Sequence, residues 1–203
     1  MRKQCPAQTI LNPKTNRCVK LTGKIGKSIM ASTKDDKLYF FSKSAQVPAG
    51  QGKNETVKDA SLYNQLGIDF RQGLSNFHIA PFKFEDYTYN TIEHVFQAKK
   101  IALVDEEKAY KFTIESGDKI GLGDGAIAQK NRKLVVLDKA VLKKWDEIKD
   151  DIMMRAALAK YQQNPEAAQV LKATLNAQLW HIQMRKPAVR FVHLETIRDT
   201  LYT

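Results

Sequence analysis

The decapeptide TIEHVFQAKK, residues 91–100, places a narrow polar stripe on a helix that is otherwise apolar. At about 100° per residue, Glu93, Gln97 and Lys100 fall within an arc of roughly 60° and share one face. Most of the remaining circumference is apolar, with Lys99 interrupting it: Ile92, Val95, Phe96, Ala98, Ala102 and Leu103. A surface helix has a wide polar face, so we expect the rest of the chain to pack around this helix.

Two interpretations of the stripe follow from this pattern. In one, Glu93 and Lys100 form an ion pair at a solvent edge, which contributes little to stability. In the other, the stripe lines a pocket where a partly desolvated carboxylate and amine do acid–base or nucleophilic chemistry. Periodicity does not choose between them. His94 points off the stripe and is interpreted as structural.

The whole chain predicts an α+β fold that is predominantly helical with a few short strands. Apolar and aromatic alternation predicts strands, and glycine-rich segments predict loops, as follows: strand 37–42, loop 48–55, strands and turns 74–90, loop 117–125. The predicted helices, the first with Thr91 as its N-cap, are 91–104, 105–116, 140–161 as one long helix or two, 165–180 and 194–201. The apolar face predicted for the longest helix comprises Val141, Leu142, Trp145, Ile148, Ile152, Met153 and Leu158.

The net charge of +11 is concentrated in the N-terminal arm, residues 1–30. That arm holds seven basic residues and no acidic one, whereas the other 173 residues hold 26 basic and 22 acidic. The high pI is therefore weak evidence that the main domain binds nucleic acid. No apolar run reaches the about 18 residues that span a bilayer, and no apolar segment follows the basic N-terminus. We expect a protein of a reducing compartment that is neither secreted nor membrane-bound.

The arm also holds both cysteines, Cys5 and Cys18. Two thiolates alone do not complete a tetrahedral zinc site, which leaves unmodified or paired thiols or, alternatively, a metal or intermolecular role. Gly23 and Gly26 are expected to break any helix, and residues 31–36 to form a linker. Because the arm has few apolar residues, it is expected to be a mini-module or a disordered tail.

The arm's segments Cys-Pro, Leu-Asn-Pro-Lys-Thr, Arg-Cys-Val and Gly-Lys-Ile-Gly-Lys resemble a short two-cysteine adaptor module. This module is fused to varied domains in large DNA viruses. The resemblance implies a protein partner for residues 1–30 and, for a viral protein, a place in the host-cell cytoplasm or the virion. A basic solvated tail is the alternative, and a further hypothesis makes this arm, rather than the larger domain, the functional part.

A second resemblance rests on Leu74–Phe77, which reads LSNF, and on a Glu-His-x-Phe-Gln-Ala-x-Lys motif from Glu93 to Lys100. With Thr91, these residues resemble the NADAR (YbiA-like) family. Further matches are Trp145, Ile152, Met153, Lys160, Tyr161, Gln163, Leu171, Thr174, Leu179, Arg198 and Leu201. The resemblance implies a YbiA-like fold and covers residues 37–203, so the predicted domains are 1–30 and 37–203.

The C-terminal part departs from the family's pattern. Many members carry a glycine-rich loop there, leading to Gly-x-Asn-x-Leu-Gly, whereas residues 178–201 contain no glycine. They resemble instead a shorter Leu-Trp-His…Arg variant. On that resemblance Trp180 offers a stacking face, and His181 and Arg185 are polar partners of the substrate. Trp180 as a core residue is the alternative.

The family resemblance implies cleavage of an N-glycosidic bond on a ribose, with no metal or other cofactor. Members are linked to removal of ADP-ribose from guanine and to hydrolysis of ribosylated riboflavin-pathway intermediates. The expected substrate is an ADP-ribose-like molecule or a ribosylated base, either as a free nucleotide or on ADP-ribosylated nucleic acid. The alternative is a module that binds ADP-ribose or NAD without turnover, which would be consistent with the missing loop.

The implied chemistry assigns roles to the stripe. Breaking a C1′–N bond builds positive charge on the ribose, and a nearby carboxylate stabilises that charge and activates a water. Glu93 is the residue expected to do so. Lys100, the second catalytic candidate, either binds phosphate or ribose oxygens or attacks C1′ as a free amine.

The other expected substrate-binding residues lie on and around the stripe. Gln97 would orient the ribose or the base, and Asn76 of the LSNF segment would donate or accept a hydrogen bond nearby. Arg132 would suit a pyrophosphate, because a guanidinium matches phosphate oxygens. Gly52 could present a backbone amide to a phosphate, with an ordinary loop as the alternative.

Overall fold

The computed structural model describes residues 5–6 and 8–202. Its elements, in chain order, are β1 (Thr9–Asn12), β2 (Arg17–Lys20), α1 (Lys24–Ser32), β3 (Lys37–Phe40), α2 (Phe70–Leu74), β4 (Phe82–Phe84), β5 (Tyr87–Tyr89), α3 (Ile92–Ala102), α4 (Glu106–Tyr110), α5 (Gly125–Lys130), α6 (Lys139–Gln163), α7 (Pro165–Ala173), β6 (Gln178–His181), β7 (Val189–Arg190) and α8 (Val192–Thr200). A 3-10 turn, Ala60–Tyr63, precedes α2. The predicted class, mainly helical α+β with short strands, is confirmed.

The described residues form two compact units. The first unit contains the residues up to Ser75 and those from Pro165 onward, and the second unit is Asn76–Asn164. This division differs from the domains predicted from the sequence, 1–30 and 37–203, which stay a prediction.

The second unit is built around α3, which has almost no exposed face. Ile92, Val95 and Ile101 are fully buried, and α4, α5 and α6 pack around the helix. The side-chain oxygen of Thr91 accepts a hydrogen bond from the amide of His94 at 3.3 Å, which satisfies a donor that a helix start leaves unpaired. The predicted N-cap and the buried position of this helix are confirmed. The β4–β5 hairpin, within the predicted strands, leads into it.

The longest helix, α6, is one continuous helix of 25 residues. Trp145 and Ile152 are buried as predicted, but Leu142 and Ile148 are 40% and 38% exposed. At about 1.5 Å per residue α6 is roughly 37 Å long, more than twice the length of α3, so α3 covers only part of it. No helix in the described part of the chain is both long enough and apolar enough to cross a membrane.

The helix predicted over 105–116 is shorter than expected, because α4 ends at Tyr110. Asp105 caps its start by accepting from the amide of Lys108. After Tyr110, the hydroxyl of Thr113 donates to the carbonyl of Tyr110 at 2.8 Å. Such a local side-chain bond competes with helix continuation, and the chain turns here into the predicted loop that precedes α5.

The first unit contains a three-stranded sheet with the order β3-β6-β7. Strands β3 and β6 are parallel, and β7 pairs antiparallel with β6. Leu38, Phe40 and Leu179 are fully buried on this sheet, as are Leu194 and Ile197 of α8. Since α8 packs on β6, these apolar side chains form the core of the unit. The predicted strand at 37–42 and final helix at 194–201 are confirmed, with their ends shifted by one or two residues.

The helix predicted over 165–180 is wrong beyond Ala173, where α7 ends. The hydroxyl of Thr174 donates back to the carbonyl of Leu171 at 2.6 Å, and Leu175 adopts a left-handed φ of 55°. The chain then enters β6, so Trp180 lies on a strand. Helical spacing of apolar residues in this segment did not reveal the parallel partner strand, which lies far away in the sequence.

The N-terminal arm folds as the β1–β2 hairpin followed by α1. Its cysteines, Cys5 and Cys18, form a disulfide, a bond that persists mainly in oxidising environments and so conflicts with the expected reducing compartment. The prediction that Gly26 breaks a helix is wrong. A Cβ on Gly26 would lie 2.3 Å from the carbonyl oxygen of Lys20, so glycine is required there for α1 to approach β2.

Candidate active site

The carboxylate of Glu93 is buried on α3. The residue is 7% exposed, and its Oε1 accepts a hydrogen bond from Nε2 of Gln97, one turn along the helix, at 2.7 Å. Burial raises the pKa of this carboxyl above its ordinary value of 4.5, because the charged form loses hydration that one amide does not replace. Glu93 therefore does not lie at a solvent edge, and a raised carboxyl pKa is frequent at catalytic sites.

Three weaker interactions oppose the effect of burial on the pKa of Glu93. The hydrogen bond from Gln97 and then the charges of Arg132 and Lys100 lower the pKa of its carboxyl. Lys100 is half-buried near the end of α3, whereas Arg132 is exposed after α5 and donates from Nη1 to the carbonyl of Gln129. Both cations therefore act on Glu93 through their electrostatic field, and the described structure shows no direct ion pair to it.

Two buried acceptors near Glu93 have no hydrogen-bond partner among the described residues: Oδ1 of Asn76 and Oε1 of Gln97. The carbonyl of Asn76 accepts from the amide of Glu93 at 3.1 Å, and its Nδ2 lies 3.3 Å from Sδ of Met153. These bonds fix the LSNF segment to the start of α3. Since an unpaired buried acceptor costs free energy, the pair is suited to a ligand that brings donors, such as ribose hydroxyls.

His94 is bonded at both ring nitrogens, and it is fully buried. Nε2 donates to the carbonyl of Ile120 at 2.8 Å, so Nδ1, 2.8 Å from the hydroxyl of Thr91, accepts. Burial lowers the pKa of this imidazole below 6.5, which keeps it neutral. Its structural interpretation agrees with these contacts, which join the N-cap of α3 to the loop before α5.

Lys160 on α6 is a buried amine that was not selected from the sequence as a site residue. It has no exposed surface, and burial lowers the pKa of its amine to about 7. It follows Met153 by two turns, so both lie on the same face of α6, and Met153 contacts Asn76. The available signal was a lysine among the apolar neighbours Ala156, Ala157 and Tyr161 at helical spacing.

The remaining predicted site residues belong to the first unit. Trp180 is half-buried, and its ring lies 6.0 Å from that of Tyr39 with 16° between the planes. His181 packs against Phe40 and Phe191, and burial lowers the pKa of its ring. Arg185 is exposed.

Gly52, also in the first unit, lies in the predicted loop at 48–55. Its amide donates to Oε2 of Glu55 at 3.1 Å, as does the amide of Gly50 at 2.8 Å. These amides already have an anionic partner within the protein. Of the predicted residues, the second unit thus brings together Glu93, Gln97, Asn76, Lys100 and Arg132, while Gly52, Trp180, His181 and Arg185 lie in the first unit.

A comparison with protein-family models identifies the family of this chain. The NADAR domain matches residues 63–185, more than half of the sequence. The chain belongs to the NADAR domain family. The match includes both motifs on which the resemblance rested, the LSNF segment and the stripe of α3.

Curated relatives cover a shorter part. N-glycosidase YbiA of Shigella flexneri serotype 5b is 32% identical over 105 residues, 52% of this chain and 59% of the relative. N-glycosidase YbiA of Escherichia coli K12 is 31% identical over the same length. The chain thus spans 59% of the length of the curated relatives it matches.

A solved structure is similar in fold. The NMR structure of Escherichia coli YbiA superposes with a TM-score of 0.50 at 24% identity, over 64% of this chain and 78% of the other. The YbiA-like fold expected for this NADAR protein is confirmed.

Proposed function

We propose that this chain is a hydrolase that cleaves an N-glycosidic bond, with ADP-ribose linked to guanine as its substrate. The observation that carries the proposal is the buried Glu93 carboxylate beside the unpaired acceptors of Asn76 and Gln97. Relatives named N-glycosidase support the reaction class. The choice of ADP-ribose and guanine rests on the resemblance of the stripe to the family's motif.

In the proposed reaction, the C1′–N bond breaks and its electron pair leaves with the base. Positive charge then develops on the ribose, and the Glu93 carboxylate stabilises it from within a site of low polarity. The same carboxylate takes a proton from the attacking water, whose oxygen bonds to C1′. The departing base takes up a proton, so that one water is consumed for each bond cleaved.

The two unpaired acceptors fit the sugar. Asn76 Oδ1 and Gln97 Oε1 each accept a hydroxyl hydrogen, which would hold the ribose against Glu93. Gln97 also donates to Glu93, so sugar binding and carboxylate orientation would depend on one amide. Lys100 and Arg132, whose charges reach Glu93, would bind the phosphates.

An amine could replace water as the attacking group. The sequence suggested Lys100 for this role, and the structure adds Lys160, because an amine with a pKa of about 7 is about half deprotonated at neutral pH. The amine would displace the base from C1′, the ribose ring would open to an imine, and water would release the sugar. Borohydride reduces such an imine to a stable adduct, which mass spectrometry assigns to one lysine.

The test compares three substrates with the full chain: a guanine-ADP-ribosylated oligonucleotide, ADP-ribosyl guanosine, and a ribosylated riboflavin-pathway intermediate. We expect free ADP-ribose from the first two, and Glu93→Gln should lower the rate of its release by about 10²–10⁴ while calorimetry still detects ADP-ribose binding. Glu85→Gln, which changes an exposed carboxylate of the same unit, is the matched control. Release by Glu93→Gln at the wild-type rate would refute the role of Glu93.

The remaining outcomes select other functions. Binding of ADP-ribose by the wild-type chain without turnover of any substrate would identify a binding module. Cleavage of only the riboflavin-pathway compound would move the substrate to that class. A borohydride adduct on Lys100 or Lys160, lost in the corresponding Lys→Met variant, would replace water attack by amine attack.

A further inference from the structure

The N-terminal arm displays basic side chains on a folded surface. Along Gln8–Thr33 its basic residues are Lys14, Arg17, Lys20, Lys24 and Lys27, and the first acidic residue of the chain is Asp35. All five side chains are exposed. Lys24 and Lys27 lie one turn apart on α1, and Lys20 ends the strand that packs on this helix.

Four of these five charges have no ion-pair partner within the described part of the protein, and the fifth, on Lys14, has an exposed one. Lys14 lies 3.7 Å from a carboxylate oxygen of Asp59, with both side chains well exposed. Arg17, Lys20, Lys24 and Lys27 have no carboxylate within ion-pair distance among the described residues. Like charges held close together repel, so this surface favours an anionic partner.

The arm is bonded to the rest of the first unit. The amide of Asn176, just before β6, donates to the hydroxyl of Thr33, and its Nδ2 donates to the carbonyl of Met30. At the other end, the amide of Gln8 donates to the carbonyl of Tyr202 at 2.8 Å. The backbone that carries the basic residues is therefore anchored at both ends, unlike that of a solvated tail.

The charge is divided very unequally between the two units. The first unit has eighteen basic and eight acidic residues, a net charge of +10, and the second has fifteen and fourteen, a net charge of +1. The unit that contains Glu93 thus contributes little attraction for a polyanion. Long-range attraction must come from the first unit.

We infer that the arm binds the phosphate backbone of a single-stranded nucleic acid that carries the substrate base. This inference rests on the proposed function and names its substrate class. Lysine and arginine supply the sequence-independent part of such binding, and exposed hydroxyls like those of Thr22 and Ser28 add phosphate contacts. A single strand is specified because a base that carries ADP-ribose must leave a duplex stack before its C1′–N bond can reach a buried carboxylate.

The composition of the arm argues against a membrane surface. Helices that lie on membranes insert large apolar or aromatic side chains. The arm has no aromatic residue, and Ile29, the central apolar residue of α1, is buried in the protein. Ile25 is the large apolar side chain that α1 leaves exposed.

The test measures binding of an unmodified fluorescent single-stranded oligonucleotide to the full chain by anisotropy, over a series of salt concentrations. The triple variant Lys20→Gln, Lys24→Gln, Lys27→Gln should bind at least tenfold more weakly, and the slope of log K against log salt should fall by about 2, at about 0.7 per lost phosphate contact. The control Lys139→Gln, Lys143→Gln, Lys144→Gln removes three exposed charges from the second unit and should change binding less than threefold.

Several results would overturn the inference: no binding by the wild-type chain, equal weakening by the two triple variants, or tighter binding to anionic phospholipid vesicles than to the oligonucleotide. Measurements of hydrolysis distinguish a failure of this inference from a failure of the proposed function. The arm variant should keep its kcat on ADP-ribosyl guanosine and show at least a tenfold higher KM on the modified oligonucleotide. Arm-dependent binding without any hydrolysis would refute the function alone.

Discussion

Glu55 in the first unit and Glu93 in the second are both buried glutamates, but their surroundings differ. The Glu55 side chain is fully buried and accepts from Nε and Nη2 of Arg71 at 2.8 and 2.6 Å. It also accepts from the amides of Tyr39, Gly50 and Gly52. Glu93 accepts only from the amide of Gln97 among the described residues, and the acceptors near it are unpaired.

This difference separates a structural carboxylate from a functional one. Glu55 has its charge and both oxygens satisfied by a guanidinium and backbone amides, so it fixes a loop to β3 and α2. Glu93 lacks such compensation, and its raised pKa reflects that cost. An under-compensated buried charge costs stability, so such a group is expected mainly where it serves a function.

The largest effect is expected at Glu93. Glu93→Gln should lower the rate of N-glycoside cleavage by about 10²–10⁴, the contribution of a positioned acid–base group. The variant should be at least as stable as wild type, because the buried charge is removed. Glu55→Gln should do the opposite, destabilising the fold while leaving the chemistry intact in the folded fraction. Initial rates and thermal melts of both variants check this prediction.

The sign of the stability change at Glu93 depends on pH. Its pKa is higher in the folded than in the unfolded chain, so ionisation disfavours folding once the pH exceeds about 4.5, the unfolded value. The stabilising effect of Glu93→Gln should therefore grow as pH rises through the folded pKa and vanish in acid. Destabilisation at pH 7 would contradict the assignment of Glu93 as under-compensated.

The second largest effect is expected from the partner of Glu55. Arg71→Met leaves the Glu55 carboxylate buried without its cation, which typically costs about 3–5 kcal/mol. The free energy of unfolding in denaturant measures this loss, and Lys58→Met, which breaks an exposed ion pair with Asp35, should lower it far less, because solvent already screens that pair. Equal losses of unfolding free energy in the two variants would contradict the interpretation of Glu55 and Arg71 as a buried structural ion pair.

A smaller effect is expected where α5 meets the LSNF segment. A Cβ on Gly125 would lie 2.5 Å from the Cα of Phe77, next to Asn76, so Gly125→Ala should cost about 1–3 kcal/mol and lower the activity. Gly73→Ala on α2 is the matched control, since its Cβ would lie 3.8 Å from Val170 and alanine favours the helix by about 0.8–1.0 kcal/mol. Unfolding that begins at the same temperature in both variants would count against this packing.

The smallest effect concerns His94 and acid. Burial lowers the pKa of His94 in the folded chain, so the unfolded chain binds the proton first as the pH falls. The stability this residue contributes should be complete above about pH 6.5 and decline by up to about 1.4 kcal/mol per pH unit below it. The difference between wild type and His94→Asn over pH 7.5–5.0 isolates this contribution from that of His181. A difference independent of pH would mean that His94 is not held neutral.

The sequence predicted the features that depend on local pattern. Thr91, Glu93 and Gln97 lie on one helix, so periodicity placed them together and the structure keeps them so. Lys160 was missed because its burial results from packing distant in sequence. The pairing of Glu55 with Arg71 was missed for the same reason, as were the parallel strands that carry Trp180. The prediction at Gly26 was wrong because glycine, although it weakens a helix, is the residue that lets α1 pack closely against the backbone of Lys20.

The most direct test of the account is the structure of the Glu93→Gln variant with ADP-ribose bound. The account predicts that C1′ lies within about 3.5 Å of the side chain at position 93, with ribose hydroxyls donating to Asn76 Oδ1 and Gln97 Oε1. ADP-ribose bound elsewhere, or C1′ turned away while those two acceptors stay unpaired, would contradict the proposal that this stripe of α3 holds the sugar.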